Sequence, residues 1–363
     1  MTKSNTIDKD VLKVFDKLEK LNPEAKFLSE SALSTVNSWV DTGCMVLNAI
    51  ISGSLYGGVP MGRITGFSGP SAAGKTYIIN KILANGQKKG MIPVIFDTEA
   101  AIDASSTVGV GLDSDKVKYV PVQTVEDCRN QISAFLDGVI EAKMRDKFIL
   151  SIDSLGNLAS QKELDDTEKG KTAMDMGTRA KGLKSMMRLL TFKAAQAGVT
   201  ILFSNHTYDD PSAMFPTLVK AQSGGKGPVY LASVLVQLAK RDEKHDKANE
   251  DDEILPEANK VSGTTLRALT VKNRFVPPFL ECEAYLNFKK GLDKYSGLKE
   301  MAVNHGVIEQ TGSTYLLPPE KEGVPPKKLG YYKNWKHDEK LWEDHILPKL
   351  EEKLKQQYSY SVD

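Results

Sequence analysis

Eight residues constrain what this chain can fold into more than any others: Gly69-Pro70-Ser71-Ala72-Ala73-Gly74-Lys75-Thr76. They fit G-x-x-x-x-G-K-[ST], in which glycines let successive backbone N–H groups curl around phosphates, a lysine reaches the β and γ oxygens and a hydroxyl binds Mg²⁺. The flanks suit that role. Residues 63–67 read as a short strand entering the loop, and residues 77–84 as a helix that Gly86 can stop, so the helix N-terminus points at an anion. Gly69, Pro70, Ser71, Ala72, Ala73, Gly74, Lys75, Thr76 and Tyr77 are the candidate contacts for a nucleoside triphosphate.

A chain of 363 residues, 40% of them hydrophobic, can carry one large α/β unit and a smaller one. With 48 Lys and Arg against 47 Asp and Glu the net charge is +1, so nucleic-acid binding would need a local basic patch rather than a global field. Cys44, Cys128 and Cys282 are far apart and odd in number, which suits a reducing compartment and argues against a zinc site. The N-terminus has no apolar signal core, and no apolar run approaches the ~20 residues that span a bilayer. The chain reads as soluble and cytoplasmic, with no membrane partner.

Residues 1–40 precede the nucleotide fold. Val11, Val14, Phe15 and Leu18 recur at helical spacing, as an accessory helix or an arm for a neighbouring subunit. Residues 92–97 form an apolar run short enough for a buried parallel strand, with Asp97 and Glu99 on one face near its end. A helix capped by Thr124 leads to a second such run, 148–154, ending in Asp153, where loop proteins of this kind help hold Mg²⁺. Residues 156–172 are polar and too long for an ordinary connection, and a long helix over 174–197 follows. On it Lys181, Lys184 and Arg188 share a face, either solvated or set against nucleic acid. A third buried strand ends in Asn205-His206, with His206 either structural or a phosphate sensor. Residues 207–228 form a second long loop, in which Met214-Phe215 is a buried anchor or a wedge between bases. Strands are expected over 229–239, 265–271 and 279–286, the last two bracketing Lys272-Asn273-Arg274, with a charged excursion over 241–260. From Gly291 on, short helices and turns anchored by Trp335, Trp342, Ile346, Leu347, Leu350 and Leu354 make a small C-terminal domain.

With the phosphate loop, Asp97-Thr98-Glu99, Ser151-Ile152-Asp153-Ser154-Leu155-Gly156-Asn157 and Ser204-Asn205-His206 in this order, the chain resembles the RecA family of recombinases. Asp153-Ser154-Leu155-Gly156-Asn157-Leu158-Ala159-Ser160, Asn205-His206-Thr207-Tyr208 and Tyr295-Ser296-Gly297-Leu298 look closest to the UvsX-type members of tailed phages. The resemblance implies an α/β fold: a RecA-like ATPase core over 41–289 with a central, mostly parallel sheet, an N-terminal polymerisation segment over 1–40, and a small C-terminal α/β domain over 290–363. It also implies helical filaments on single-stranded DNA, with ATP and Mg²⁺ at the subunit interfaces.

By matching position, the resemblance gives Lys75 and Thr76 to phosphate and metal, Asp153 to the metal, and Glu99 to activation of the attacking water. His206 stands at the γ-phosphate sensor, where bacterial members usually have Gln. Lys272 and Arg274 match cations extended into a neighbour's ATP site, an arginine-finger logic. Residues 157–178 and 207–228 match two DNA-binding loops, with Met214, Phe215, Lys220, Gly224, Gly225, Lys226 and Arg179 as DNA contacts. Asp103 matches a base-contacting Asp; Ser106 replaces the usual aromatic, and Phe288 is the substitute for stacking on adenine. The expected activity is DNA-dependent ATP hydrolysis coupled to strand exchange in recombination, repair and replication. Expected partners are single-stranded DNA, homologous duplex, further copies of the chain, a single-strand-binding protein and a loading mediator, in the cytoplasm of an infected bacterial host if the chain is of phage origin. Two rivals share the motifs. One is a RecA-fold hexameric helicase or remodelling ATPase, the other an accessory protein that binds nucleotide without turnover.

Overall fold

The computed structural model describes residues 8–31, 33–103, 107–171, 177–208, 218–225, 227–244, 261–319 and 325–358. Met1–Asn37 and Ser38–Asp363 form two compact units. In the first, the helical periodicity is realised as α1 (Lys9–Leu21), which starts where the Asp8 carboxylate accepts the N–H of Asp10. Phe15 meets Phe27 edge-on at 5.6 Å between centroids, while Val14 and Leu18 stay exposed.

The second unit is built on strands β1 (Trp39–Val40), β2 (Val59–Pro60), β3 (Ile64–Gly69), β4 (Ile92–Asp97), β5 (Lys118–Pro121), β6 (Phe148–Asp153), β7 (Thr200–Tyr208), β8 (Ala221–Gln222), β9 (Val234–Lys244), β10 (Val261–Asn273), β11 (Glu281–Asn287) and β12 (Gly291–Leu292). A 10-stranded sheet runs in the order β12-β11-β10-β9-β3-β7-β6-β4-β5, with β8 paired to β7. From β9 to β5 neighbours are parallel, whereas β9, β10, β11 and β12 pair antiparallel. The parallel strands are near-continuous apolar runs because helices cover both of their faces.

Those helices are α2 (Met45–Ser52), α3 (Lys75–Lys88), α4 (Val125–Glu141), α5 (Gln161–Glu168), α6 (Thr178–Ala197) and α7 (Gly227–Leu231). Alternation along each strand divides the core. Phe67, Ile149 and Leu202 join Ile50 and Ile51 of α2 and Ile78, Ile82 and Leu83 of α3, whereas Ile64, Leu150 and Phe203 join Ile132 and Leu136 of α4 and Met186 and Leu190 of α6.

The first of these clusters extends to the C-terminus. After α8 (Leu298–Asn304) comes an antiparallel sheet of β13 (Glu309–Thr311), β14 (Thr314–Leu317) and β15 (Lys327–Tyr331), then a π-helical turn (Trp342–Ile346) leading into α9 (Leu347–Tyr358). Trp335, Trp342, Ile346, Leu347, Leu350 and Leu354 pack in the same cluster as α2 and α3. The Glu351 carboxylate accepts the Ser54 hydroxyl at 2.6 Å and the Leu55 N–H at 2.7 Å, tying α9 to the turn after α2.

Several local expectations change. α3 runs through Gly86 to Lys88, because Gly86 is buried on the sheet side, where a Cβ would stand 3.1 Å from Ile149; the chain turns at Gly90 instead. Residues 227–231 are the helix α7 rather than the start of a strand, and β9 begins only at Val234. The polar stretch after β6 contains α5, closed by a reciprocal capping box between Ser160 and Glu163. The long helix begins at Thr178, and the C-terminal segment contains three short strands besides its helices and turns.

Candidate active site

The carboxyl ends of β3, β7, β6 and β4 lie side by side, where ligands settle in an open α/β sheet. Strand register fixes who meets whom: Gly69 stands beside His206, and Asp97 beside Asp153. Gly69 passes so close to β9 that a Cβ would lie 2.5 Å from the Leu238 carbonyl, and Gly74 opens α3 at φ 78°, where an L side chain is strained. Between them Ala72 also has positive φ, at 56°, and Ala73 is buried while Pro70, Ser71 and Ala72 face solvent. The result is a backbone cradle at a helix N-terminus.

Lys75 closes that cradle from inside. Its Nζ donates to the carbonyls of Gly69 at 3.0 Å and Pro70 at 2.7 Å, and only 8% of the residue is exposed. Burial pushes the ammonium pKa down, opposed by the charges of Asp153 and Glu99, so the cation is held where an arriving anion gains most. Thr76, next on α3, donates its hydroxyl to Asp153 Oδ2 at 2.8 Å, and Ser204 donates to Asp153 Oδ1. Among the described residues no group of three or more His, Cys, Asp or Glu forms a ready-made metal cage. One carboxylate and one hydroxyl, all oxygen, fit Mg²⁺, which keeps waters and brings substrate phosphates as its remaining ligands.

Glu99 is held over this site by residues whose roles the sequence did not announce. Asp97, 2% exposed, accepts the N–H groups of Glu99 at 2.8 Å and Ala100 at 3.1 Å through Oδ1; its Oδ2 accepts Ile102 N–H at 3.3 Å and the Tyr119 hydroxyl at 3.1 Å. The loop after β4 is thus wrapped around one buried carboxylate. The Ser154 hydroxyl donates to Glu99 Oε1 at 2.7 Å, and Thr98 ties the backbone of Asp153 and Ser154, joined by a cis peptide, to the same loop. His206 Nε2 lies 3.7 Å from Glu99 Oε1. Glu99, the loop of residues 69–76, Asp153 and His206 therefore converge at the carboxyl ends of neighbouring strands.

Comparison with known proteins decides which family builds such an edge. The model of the RecA N-terminal domain family matches residues 16–293. The chain belongs to the RecA family. It is 29% identical over 271 residues to the "Recombination and repair protein" of Enterobacteria phage T4, covering 74% of this chain and 64% of that protein. It is 28% identical over 286 residues to "Protein RecA" of Mycobacterium sp. (strain KMS), covering 79% and 76%, and 26% identical over 290 residues to "Protein RecA" of Bifidobacterium breve, covering 80% and 68%. The chain thus spans slightly less than two thirds of the phage relative. RecA family members are nucleotide-binding ATPases, and no helix among the described residues is long and apolar enough to cross a membrane.

The two cations that the RecA resemblance sends to a neighbour's site sit at the other end of the sheet. Lys272 stands beside Leu235, which stands beside Gly66, and Asn273 reaches Val234 and through it Thr65. Gly69 is three residues further along β3, about 10 Å at ~3.3 Å per residue and two strands across. Lys272 Nζ caps α7 by donating to the carbonyls of Val229, at 3.1 Å, and Tyr230. Burial, and then Arg274, lowers its pKa to about 8. Arg274 is exposed and lies close enough to Arg63, at the start of β3, to depress the Arg63 pKa after burial and Arg145 have done so.

The other RecA-like candidates divide. The Tyr77 hydroxyl accepts the Leu292 N–H at 3.3 Å, which leans the β11–β12 turn carrying Phe288 against the start of α3; Phe288 is 55% exposed, and Asp103 is also exposed. Gly224 and Gly225 both have positive φ and pack against Leu183 and Ala180 of α6, and the Lys220 N–H is held by Gln237 Oε1 at 2.8 Å. Arg179 donates to protein oxygens around the first loop rather than standing clear of them. Met214, Phe215 and Lys226 lie outside the described residues, as does Ser106.

Proposed function

We propose that this chain is an ATP-dependent DNA strand-exchange recombinase that assembles as a helical filament on single-stranded DNA. In this reading the backbone cradle and Lys75 bind the triphosphate, and Thr76 with Asp153 hold Mg²⁺, which supplies charge neutralisation at the phosphates. Glu99, oriented by Ser154 and Asp97, takes the proton of the attacking water, and His206 senses the γ-phosphate beside it. Lys272 and Arg274 act on a neighbouring subunit's site, and the segments 157–178 and 207–228 carry DNA.

The observation that carries the reading is a division of labour. One sheet edge gathers Lys75, Thr76, Asp153, Glu99 and His206, while the two candidate transition-state cations lie toward the opposite edge, Lys272 held on α7 and Arg274 exposed just past β10. A chain arranged this way completes its site only when another copy supplies those cations, which is what head-to-tail assembly provides. The name of the phage relative points the same way.

The test is ATP turnover with and without single-stranded DNA, followed by joint-molecule formation with homologous duplex and electron microscopy of the complex. Turnover should be stimulated by single-stranded DNA, helical filaments should form with ATP, and strands should exchange. Closed rings that unwind duplex, or turnover indifferent to DNA, would replace this reading with another ATPase.

A further inference from the structure

Arg179, at the start of α6, is one of the residues that the catalytic account leaves unused. Its Nε donates to the Leu158 carbonyl at 2.6 Å, and its Nη2 donates to the Gly156 carbonyl and to the Ser223 hydroxyl at 3.3 Å. Arg179 and these partners bring together three places in the chain. Gly156 and Leu158 lie in the turn leaving β6 just after Asp153 and Ser154; Arg179 itself follows the first loop; and Ser223 lies within the second loop, directly after β8. A planar fork can reach several oxygens at fixed angles, which an ammonium on a flexible stem cannot do.

Each end of this bridge leads to the catalytic edge. The Ser223 N–H donates to the His206 carbonyl at 3.1 Å, and the Asn205 side chain donates to the Ser223 carbonyl at 2.9 Å. Gly156 lies so close to the same strand that a Cβ would stand 3.1 Å from Asn205 Oδ1 and 3.5 Å from the His206 ring. On the other side Ser154, two residues before Gly156, holds Glu99. A displacement of either loop end therefore reaches the Glu99–His206 pair through hydrogen bonds, the close packing of Gly156 on β7 and the chain from Gly156 back to Ser154.

We propose that Arg179 is a positioning residue that couples DNA on the two loops to the placement of Glu99 and His206, rather than a ligand of DNA phosphate. The proposal rests on the recombinase reading. Coupling between two binding sites is reciprocal: the factor by which DNA tightens nucleotide binding equals the factor by which nucleotide tightens DNA binding. Losing the strut lowers both factors together, whereas losing a phosphate contact weakens DNA binding by itself.

The experiment uses the full chain, an oligo-dT and a non-hydrolysable ATP analogue, and measures each affinity with and without the other ligand across a salt series. In Arg179→Lys, which keeps the charge, both coupling factors should fall about tenfold, while the salt dependence of DNA affinity keeps its wild-type slope. Ser223→Ala, which removes one acceptor and leaves the arginine in place, should lower both factors about threefold and serves if Arg179→Lys does not fold. Wild-type coupling in both variants overturns the strut. So does Arg179→Gln that lowers the salt slope by about one with coupling intact, since that is a phosphate ligand. If the wild type itself shows coupling factors near one, the recombinase reading falls first, and the strut with it.

Discussion

Thr76 Oγ1 and Asp153 Oδ2 stand 2.8 Å apart although 77 residues separate them in the chain. The first lies on the helix that opens at the phosphate cradle, the second at the end of a strand two places away in the sheet, beyond β7. The same carboxylate accepts Ser204, so both of its oxygens are oriented by hydroxyl donors. Such outer contacts fix where the lone pairs point and tune the ligand.

Asp153→Asn replaces an anionic acceptor with a neutral group, half of it a donor. The Mg²⁺ concentration giving half-maximal turnover should rise about 10–100-fold, with ATP turnover at saturating Mg²⁺ also reduced. A Mg²⁺ titration of turnover checks this. An unshifted midpoint would remove Asp153 from the metal site.

Glu99 is presented by two different supports, and they should fail differently. Glu99→Gln keeps the Ser154 contact but loses the base, so turnover should fall about 10²–10⁴-fold with nucleotide affinity unchanged. Asp97→Asn leaves Glu99 in place but exchanges an oxygen that accepts loop N–H groups for an amide. It should lower turnover about tenfold, consistent with losing charge-assisted bonds worth about 1.5–3 kcal/mol each in part, and lower thermal stability as well. Single-turnover hydrolysis and calorimetry separate the two; equal turnover in Glu99→Gln and wild type would end the base assignment.

What the sequence made legible was whatever rests on apolar runs and on residue identity at fixed spacing. The strands ending in Asp97 and Asp153 and the strand through Asn205, which runs on to Tyr208 beyond the expected end, are buried over most of their length, so they stand out as short apolar stretches, and the phosphate loop is specified by Gly69, where a Cβ would meet the Leu238 carbonyl, and Gly74, at positive φ. What was not legible depends on contacts between distant segments or on polar periodicity. α5 buries no residue, so it has no apolar stripe; its only sign was Ser160 three residues before Glu163. Asp97 was visible as an acid at a strand end, but that it caps its own loop follows only from the turn. Arg179 carries a charge that suits DNA equally well, and its bonds to Gly156, Leu158 and Ser223 join segments that sequence order keeps apart. The C-terminal tryptophans were legible as apolar anchors, but that they share one cluster with α2 and α3 is a long-range contact that sequence order does not reveal.

That last packing has a cost if disturbed. Trp342 is fully buried, stacked on Tyr295 at 5.2 Å, with its Nε1 donating to the Lys336 carbonyl at 3.1 Å. Trp342→Ala should destabilise the fold by about 3–5 kcal/mol, seen as a lower denaturant midpoint. Truncation after Asn334 should expose α2 and α3 and abolish nucleotide binding. A truncated chain that unfolds at the wild-type midpoint and binds nucleotide normally would show that the ATPase core closes without α9.

Lys272 offers a charge test with opposite signs in stability and assembly. Its folded pKa is about 8, below the usual 10.5 of a lysine, because burial and then the neighbouring Arg274 disfavour the ammonium. Between those two values the unfolded chain binds more protons than the folded one, so stability of the free chain should rise with pH through this window and level off above it. Lys272→Met should flatten the rise. In the folded chain the cation itself is lost around pH 8, at the lower end of that window, so a contribution to a neighbour's site should weaken as pH rises through 8, and Lys272→Arg, which stays protonated, should hold turnover up at pH 9. Action across the interface has a stricter test. Subunits carrying Lys75→Ala keep both cations, and subunits carrying Arg274→Ala keep the phosphate loop. Mixed in equal amounts, about a quarter of head-to-tail junctions should pair an intact loop with intact cations, so DNA-stimulated turnover should reappear in the mixture although each variant alone is inactive. Absence of rescue at every ratio, with both variants still incorporated into filaments, would place the work of Arg274 within its own subunit.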